Sequence, residues 1–126
     1  MKPSETGVES LSTVFETMLY GPIRVVRAVL PAFRERGTGT FLFTGGGFGV
    51  NPGVDFAPHS IAKAALRNYV NGLYLELKEE GIHAATVTIY RPVKPGSEME
   101  SCAAEFVTLH GQSPRDWEWE RTWGEG

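Results

Sequence analysis

Residues 39–67 read GTFLFTGGGFGVNPGVDFAPHSIAKAALR, and this stretch decides the fold. At its start TFLFT, residues 40–44, is a continuous apolar run without polar alternation, the pattern of a strand buried on both faces. Three glycines follow, Gly45, Gly46 and Gly47, and then a loop containing Gly49, Pro52 and Gly53. Beyond it Ile61, Ala64, Ala65, Tyr69, Val70, Leu73 and Leu77 share one helical face. That spacing predicts a helix over about 57–80. Pro58 suits its first turn, where a missing N–H costs nothing, and Gly81 suits its C-terminal cap. Strand, glycine turn and helix form a βα unit. In open α/β sheets the ligand crevice lies at the carboxyl ends of the strands, so any site is expected here.

On the N-terminal side, Leu11, Val14, Phe15, Met18, Leu19, Val25, Val26, Val29 and Phe33 recur at helical spacing and predict one long helix over about 8–35. Thr6 and Glu9 have the form of a capping box ahead of it, with residues 1–6 frayed. Pro22 and Pro31 lie inside this helix, so a kink is expected at one or both. Gly37 ends it. On the C-terminal side, residues 82–89 are rich in β-branched side chains and predict a second strand. A helix over about 98–110 follows, capped by Ser97. The tail WEWERTW alternates with a period of two and predicts a last strand over 117–123, its tryptophans either forming an aromatic platform or, in the commoner use of such a face, packing on that helix. The order α-β-α-β-α-β in a single domain, residues 1–126, implies an α/β fold: a three-stranded parallel sheet flanked by helices, a truncated Rossmann-like unit.

Composition narrows the function classes. A chain of 126 residues with 41% hydrophobic and 21% charged residues is globular rather than disordered. The net charge of −3 and the absence of a basic run argue against nucleic acid as a partner. No apolar run approaches the ~20 residues of a membrane span, and the polar start MKPSETGVES has no signal-peptide character. Cys102 is the only cysteine, which excludes an internal disulfide and favours a reducing compartment. The expectation is a cytoplasmic protein without membrane contact. His83 and His110 have no ligand-spaced neighbours, so no metal site is expected.

With these residues in place, the chain resembles the C-terminal half of a short-chain dehydrogenase/reductase over about residues 7–95. TMLYGPIRVVRAVLPAFRERGTG is similar to that family's fourth helix, FLFTGGG to its fifth strand, and HSIAKAALRNYVNGLYLELKEEGIHAATV to its catalytic helix and sixth strand. TGGG and the tail VKPGSE…LHGQSPRDWEWE are similar to an atypical subgroup. The family's catalytic set is Asn, Ser, Tyr and Lys, the last two in a YxxxK motif. By the resemblance Lys63 matches the lysine, while His59 stands at the tyrosine, Gly46 at the serine and Met18 at the asparagine. Tyr90–Arg91 occupies the place of the family's Pro-Gly. The resemblance implies an NAD(P) cofactor only where the glycine-rich dinucleotide half is supplied, with Lys63 then holding the nicotinamide ribose. It also implies that strand 39–45 lacks its usual neighbour and becomes an open edge. Two kinds of partner fit: a homodimer through helices 8–35 and 57–80, or a separate chain on that edge.

Each candidate carries a structural alternative. His59 and Lys63 are i and i+4 on one helix face. They are the candidate catalytic pair, a neutral His59 serving as general base or hydrogen-bond donor, or else a polar helix start left after loss of the tyrosine. Gly45–Gly47 either present N–H groups to an anion or form a tight turn requiring positive φ. Arg91 either pairs with a carboxylate substrate or is a solvated loop residue. Three functional readings follow. The first is a divergent family member without independent redox activity that binds a partner. The second is a non-redox acid/base enzyme using His59 and Lys63. The third is a fragment of a full-length reductase.

Overall fold

A computed structural model describes residues 1–125. Its elements are α1 (Val8–Phe15), a π-helical turn (Glu16–Tyr20), α2 (Gly21–Arg36), β1 (Gly39–Gly46), α3 (Ala57–Leu77), β2 (Ile82–Ile89), α4 (Ser97–Gly111) and β3 (Glu120–Trp123). The three strands form one parallel sheet in the order β1-β2-β3, as the α-β-α-β-α-β pattern requires.

The long first helix is therefore one run with a widened turn, and the irregularity falls at Pro22. The Pro22 ring has no N–H and crowds the carbonyl four residues back. The backbone adopts the π register just before it, with the Gly21 N–H donating to the Glu16 carbonyl. Pro31 sits inside α2 without interrupting it. Gly37 and Gly81 adopt positive φ, 73° and 79°, and end their helices as expected. The expected Thr6–Glu9 capping box does not form. Gly7 is the N-cap of α1, and the Thr6 hydroxyl instead donates to the Lys2 carbonyl. Nor are residues 1–6 loose: the Met1 ammonium donates to the Asp55 carbonyl and the Met1 carbonyl accepts from the N–H of Ala57, the first residue of α3. At α4 the N-cap is Gly96, not Ser97, and Glu98 accepts the Lys94 N–H.

Alternation along β2 splits the core. Ile82 and Ala84 face Leu66, Val70, Leu73 and Leu77 of α3, with Phe41 and Phe43 of β1 and Val26 of α2. Ala85 and Val87 face Cys102 and Leu109 of α4 and Trp123 of β3. Burial raises the pKa of the Cys102 thiol, so it is a small apolar core residue rather than a nucleophile. Both crossovers step the same way across the sheet, yet α3 and α4 lie on opposite faces. The two connections therefore have opposite hands, and one departs from the right-handed rule.

β2, the central strand, is buried along nearly its whole length, while β1 is not. Leu42 and Thr44 are exposed, so the apolar run of β1 is covered on the α3 face only. The expectation of a strand buried on both faces fails here because α4 covers β1 only in part and leaves Leu42 and Thr44 exposed. β3 is also shorter than the expected 117–123. Trp117 and Trp119 precede it and point to different partners. Trp117 stacks flat on His83, ring centroids 4.6 Å apart, and Trp119 lies under the Arg67 guanidinium; only Trp123 packs with α4.

His83 gives a pH prediction. It is buried, and its Nε2 donates to the Glu118 carbonyl at 2.7 Å, which places the proton of the neutral ring on that nitrogen. Burial lowers its pKa below the ordinary 6.5. The unfolded chain takes up a proton near pH 6.5 while the folded chain resists, so below that pH the unfolded state binds more protons. Stability is expected to fall as pH drops from 6.5 towards the lowered folded value. Urea titrations at pH 7.5 and about 5 read this slope, and His83→Gln, which keeps a donor, is expected to remove it.

Candidate functional site

A cleft of about 590 Å³ opens at the carboxyl ends of β1 and β2, where the βα unit predicts a site. Met18, Gly46, His59 and Lys63 all line it. Four positions spread over 46 residues of sequence thus converge, brought by the π turn, the end of β1 and the first turns of α3. Phe48, Phe56, Ile89, Tyr90, Arg91 and Pro92 complete the wall. The lining contains His59, Lys63 and Arg91 but no carboxylate, although the chain as a whole is acidic.

Lys63 is the best-anchored of these groups. Its Nζ donates to the Thr44 carbonyl at 3.1 Å, and burial lowers its pKa. Its stem runs over Gly46, where an added Cβ would lie 3.3 Å from Lys63 Cγ and Cδ. The residue type at 46 therefore sets how the lysine stem lies. His59 is exposed and has no hydrogen-bond partner among the described residues.

The glycine run does not need the positive φ expected of a tight turn. None of Gly45, Gly46 and Gly47 has positive φ. What they require is space. A Cβ on Gly45 would fall 2.8 Å from Thr86 Oγ1, and one on Gly47 would fall 2.4 Å from the Tyr90 ring. Gly49 lies against the backbone of α3 itself. The turn is thus pressed between β2, Tyr90 and α3, which fixes the cleft floor.

Arg91 is neither free nor simply solvated. Its Nη1 donates to Glu98 Oε1 at 2.9 Å, and its guanidinium stacks 4.5 Å over the Trp123 ring. Phe48 and Phe56, which sequence reasoning did not single out, stack on each other with centroids 5.5 Å apart and remain about half exposed at the cleft. Their only sequence signal is that both are phenylalanines in a Gly/Pro-rich loop.

A second, apolar groove of about 570 Å³ runs along the free edge of β1, between that strand and the π turn with α2. Met18, Val25 and Leu42 line it, and Met18 and Lys63 belong to both cavities.

Comparison with known proteins agrees with this geometry. The chain matches the short chain dehydrogenase family over residues 2–99, and it belongs to that family. A short-chain dehydrogenase, virD, of Hypocrea virens is 28% identical over 91% of this chain and 44% of its own length. Among solved structures, a short-chain dehydrogenase from Rhodopseudomonas palustris superposes with a TM-score of 0.85 at 22% identity, covering 100% of this chain and 57% of that one. A gluconate 5-dehydrogenase from Burkholderia cenocepacia, solved with NADP and tartrate, superposes with a TM-score of 0.67 at 19% identity, covering 71% of this chain and 35% of that one. The chain spans less than half the length of the curated relatives it matches. No helix among the described residues is long and apolar enough to cross a membrane. None of their His, Cys, Asp and Glu side chains form a metal-binding group of three or more.

Proposed function

We propose that this chain supplies the substrate-side cleft of a short-chain dehydrogenase fold without itself carrying out NAD(P)-dependent hydride transfer, and that another polypeptide completes its sheet along β1. The observation that carries this reading is the cleft wall. The family resemblance places Asn, Ser, Tyr and Lys at Met18, Gly46, His59 and Lys63, and all four positions line one cavity with only the lysine kept.

The donor set fits only part of a dinucleotide. In doubly wound folds the pyrophosphate rests on a glycine-rich βα turn at a helix N-terminus. The turn after β1 is filled by the Tyr90 ring and the α3 backbone. In the turn after β2, the Glu98 carboxylate already takes the Lys94 N–H and the Arg91 guanidinium. Lys63 fits the ribose end alone. The partner reading rests on β1, whose outer edge has no neighbouring strand among the described residues and whose Leu42 is 36% exposed. Such an edge invites a further strand.

Titrating NADPH or NADH into the purified chain, read by nicotinamide fluorescence, tests this reading. No saturation is expected up to about 1 mM. Saturable one-to-one binding by the chain alone would contradict it.

A second reading is non-redox acid/base chemistry, favoured by one observation: burial moves the Lys63 ammonium towards the neutral form in the same cleft as His59. In that case His59→Ala and Lys63→Ala would each cost about 10²-fold or more in rate.

A further inference from the structure

We infer that the cleft binds an aryl carboxylate, its ring against Phe48 and Phe56 and its carboxylate on Arg91. The inference deepens the reading of this cavity as a retained substrate cleft and rests on that reading.

Size comes first. A cavity of about 590 Å³ lies within the range of small-molecule sites. Its wall is apolar apart from His59, Lys63, Arg91 and the Tyr90 phenol, and no carboxylate is among the lining residues. An anion would meet hydrogen-bond donors on this wall, whereas a cation would find no carboxylate in the lining to pair with. Of the three nitrogen-bearing side chains, Lys63 has one donor on the Thr44 carbonyl and offers a point charge rather than a planar pair of donors.

Arg91 is the group built to receive the anion. Trp123 lies under its guanidinium and Glu98 holds Nη1, so its orientation is restricted before any ligand arrives. A guanidinium has five N–H donors, and Glu98 takes one of them. The donors that remain form a planar fork suited to a carboxylate. Glu98 itself shows that a carboxylate is accepted at this position.

The stacked pair Phe48 and Phe56 supplies the complementary surface for a flat ring. The two rings lie 17° from parallel and expose 45% and 55% of their surface. Gly53 holds this arrangement, because a Cβ there would come within 2.8 Å of Phe48 Cζ.

The test is calorimetry on the purified chain with three probes of one shape: 2-naphthoate, its neutral counterpart 2-naphthamide, and 2-naphthyl phosphate. 2-Naphthoate is expected to bind one-to-one and at least about tenfold tighter than 2-naphthamide. Arg91→Met is expected to remove that preference while leaving 2-naphthamide unchanged. Glu98→Gln, which removes the competing negative charge beside Arg91 while its amide oxygen can still accept from Nη1, is expected to tighten 2-naphthoate at least about threefold, and it keeps the test valid should Arg91→Met fail to fold. Equal binding of acid and amide, or no change in Glu98→Gln, overturns the assignment. Tighter binding of 2-naphthyl phosphate also overturns it, in favour of a phosphate ester. None of these outcomes depends on NADPH binding, so the ligand assignment and the non-redox reading fail separately.

Discussion

Gly49→Ala is expected to destabilise the fold by about 1–3 kcal/mol or more, and to do so by displacing the cleft floor. A Cβ at this position would lie 2.7 Å from the Lys63 carbonyl carbon, 2.8 Å from its oxygen and 2.9 Å from the Ala64 nitrogen. These are backbone atoms in the middle of a helix and cannot move aside as a side chain would. The loop after β1 must lift instead, carrying with it Gly46 and Phe48, which line the cleft beside Lys63. Gly72→Ala is the matched control with the opposite sign. Gly72 lies within α3 with open space around the added methyl, so alanine there is expected to stabilise by about 0.5–1 kcal/mol. Urea denaturation of the two variants against the parent reads both.

Glu120→Ala should be the most damaging change on the far side of α3, at about 2 kcal/mol. Glu120 accepts two hydrogen bonds from Arg67, at 2.7 and 2.9 Å, and one from the Thr88 hydroxyl at 2.6 Å. It thus ties α3 and the central strand to a β3 of only four residues. Its side chain is 16% exposed while that of Arg67 is 36% exposed, so solvent screens part of the pair, and the figure lies below that for a fully buried one. The Arg67 guanidinium holds the Glu120 carboxyl below its ordinary value. This contribution is therefore present above pH 4.5 and is lost as pH falls through the lowered folded value. Glu120→Gln removes that acid dependence. Hydrogen exchange at the β3 amides shows whether the loss is local to β3.

The elements that local chemistry controls were legible in the sequence. Gly37 and Gly81 close their helices with positive φ, Pro58 sits in the first turn of α3, and β1, α3 and β2 fall close to the expected places. What escaped the sequence is set by distant neighbours. TFLFT reads as doubly buried, but whether Leu42 is covered depends on a layer that does not reach it. WEWERTW reads as seven residues of strand because three tryptophans alternate, yet each finds a different partner. The glycine run reads as a φ requirement, and its true requirement is clearance from Tyr90, Thr86 and α3. The opposite hands of the two crossovers leave no local trace at all.

The site follows the same division. Met18, Gly46, His59 and Lys63 were named from the family resemblance, and three of them share one cleft because a βα unit delivers strand end and helix start to the same place, with Met18 added from the π turn. Arg91 was seen as a candidate, but its seat between Trp123 and Glu98 was not. The Phe48–Phe56 stack is a contact within a loop, and loop contacts have no periodicity to betray them.

On our proposal this cleft is built and yet does not transfer hydride by itself. The most direct measurement is deuteride transfer: the purified chain is incubated with 4-deuterated NADPH and a panel of aryl ketones and aldehydes, and the alcohols are analysed by mass spectrometry. The account predicts no deuterium in any product above the enzyme-free control. Catalysed incorporation of one deuterium at the carbinol carbon, lost in Lys63→Ala, would contradict it and make His59 or another group the acid that replaces the family's tyrosine.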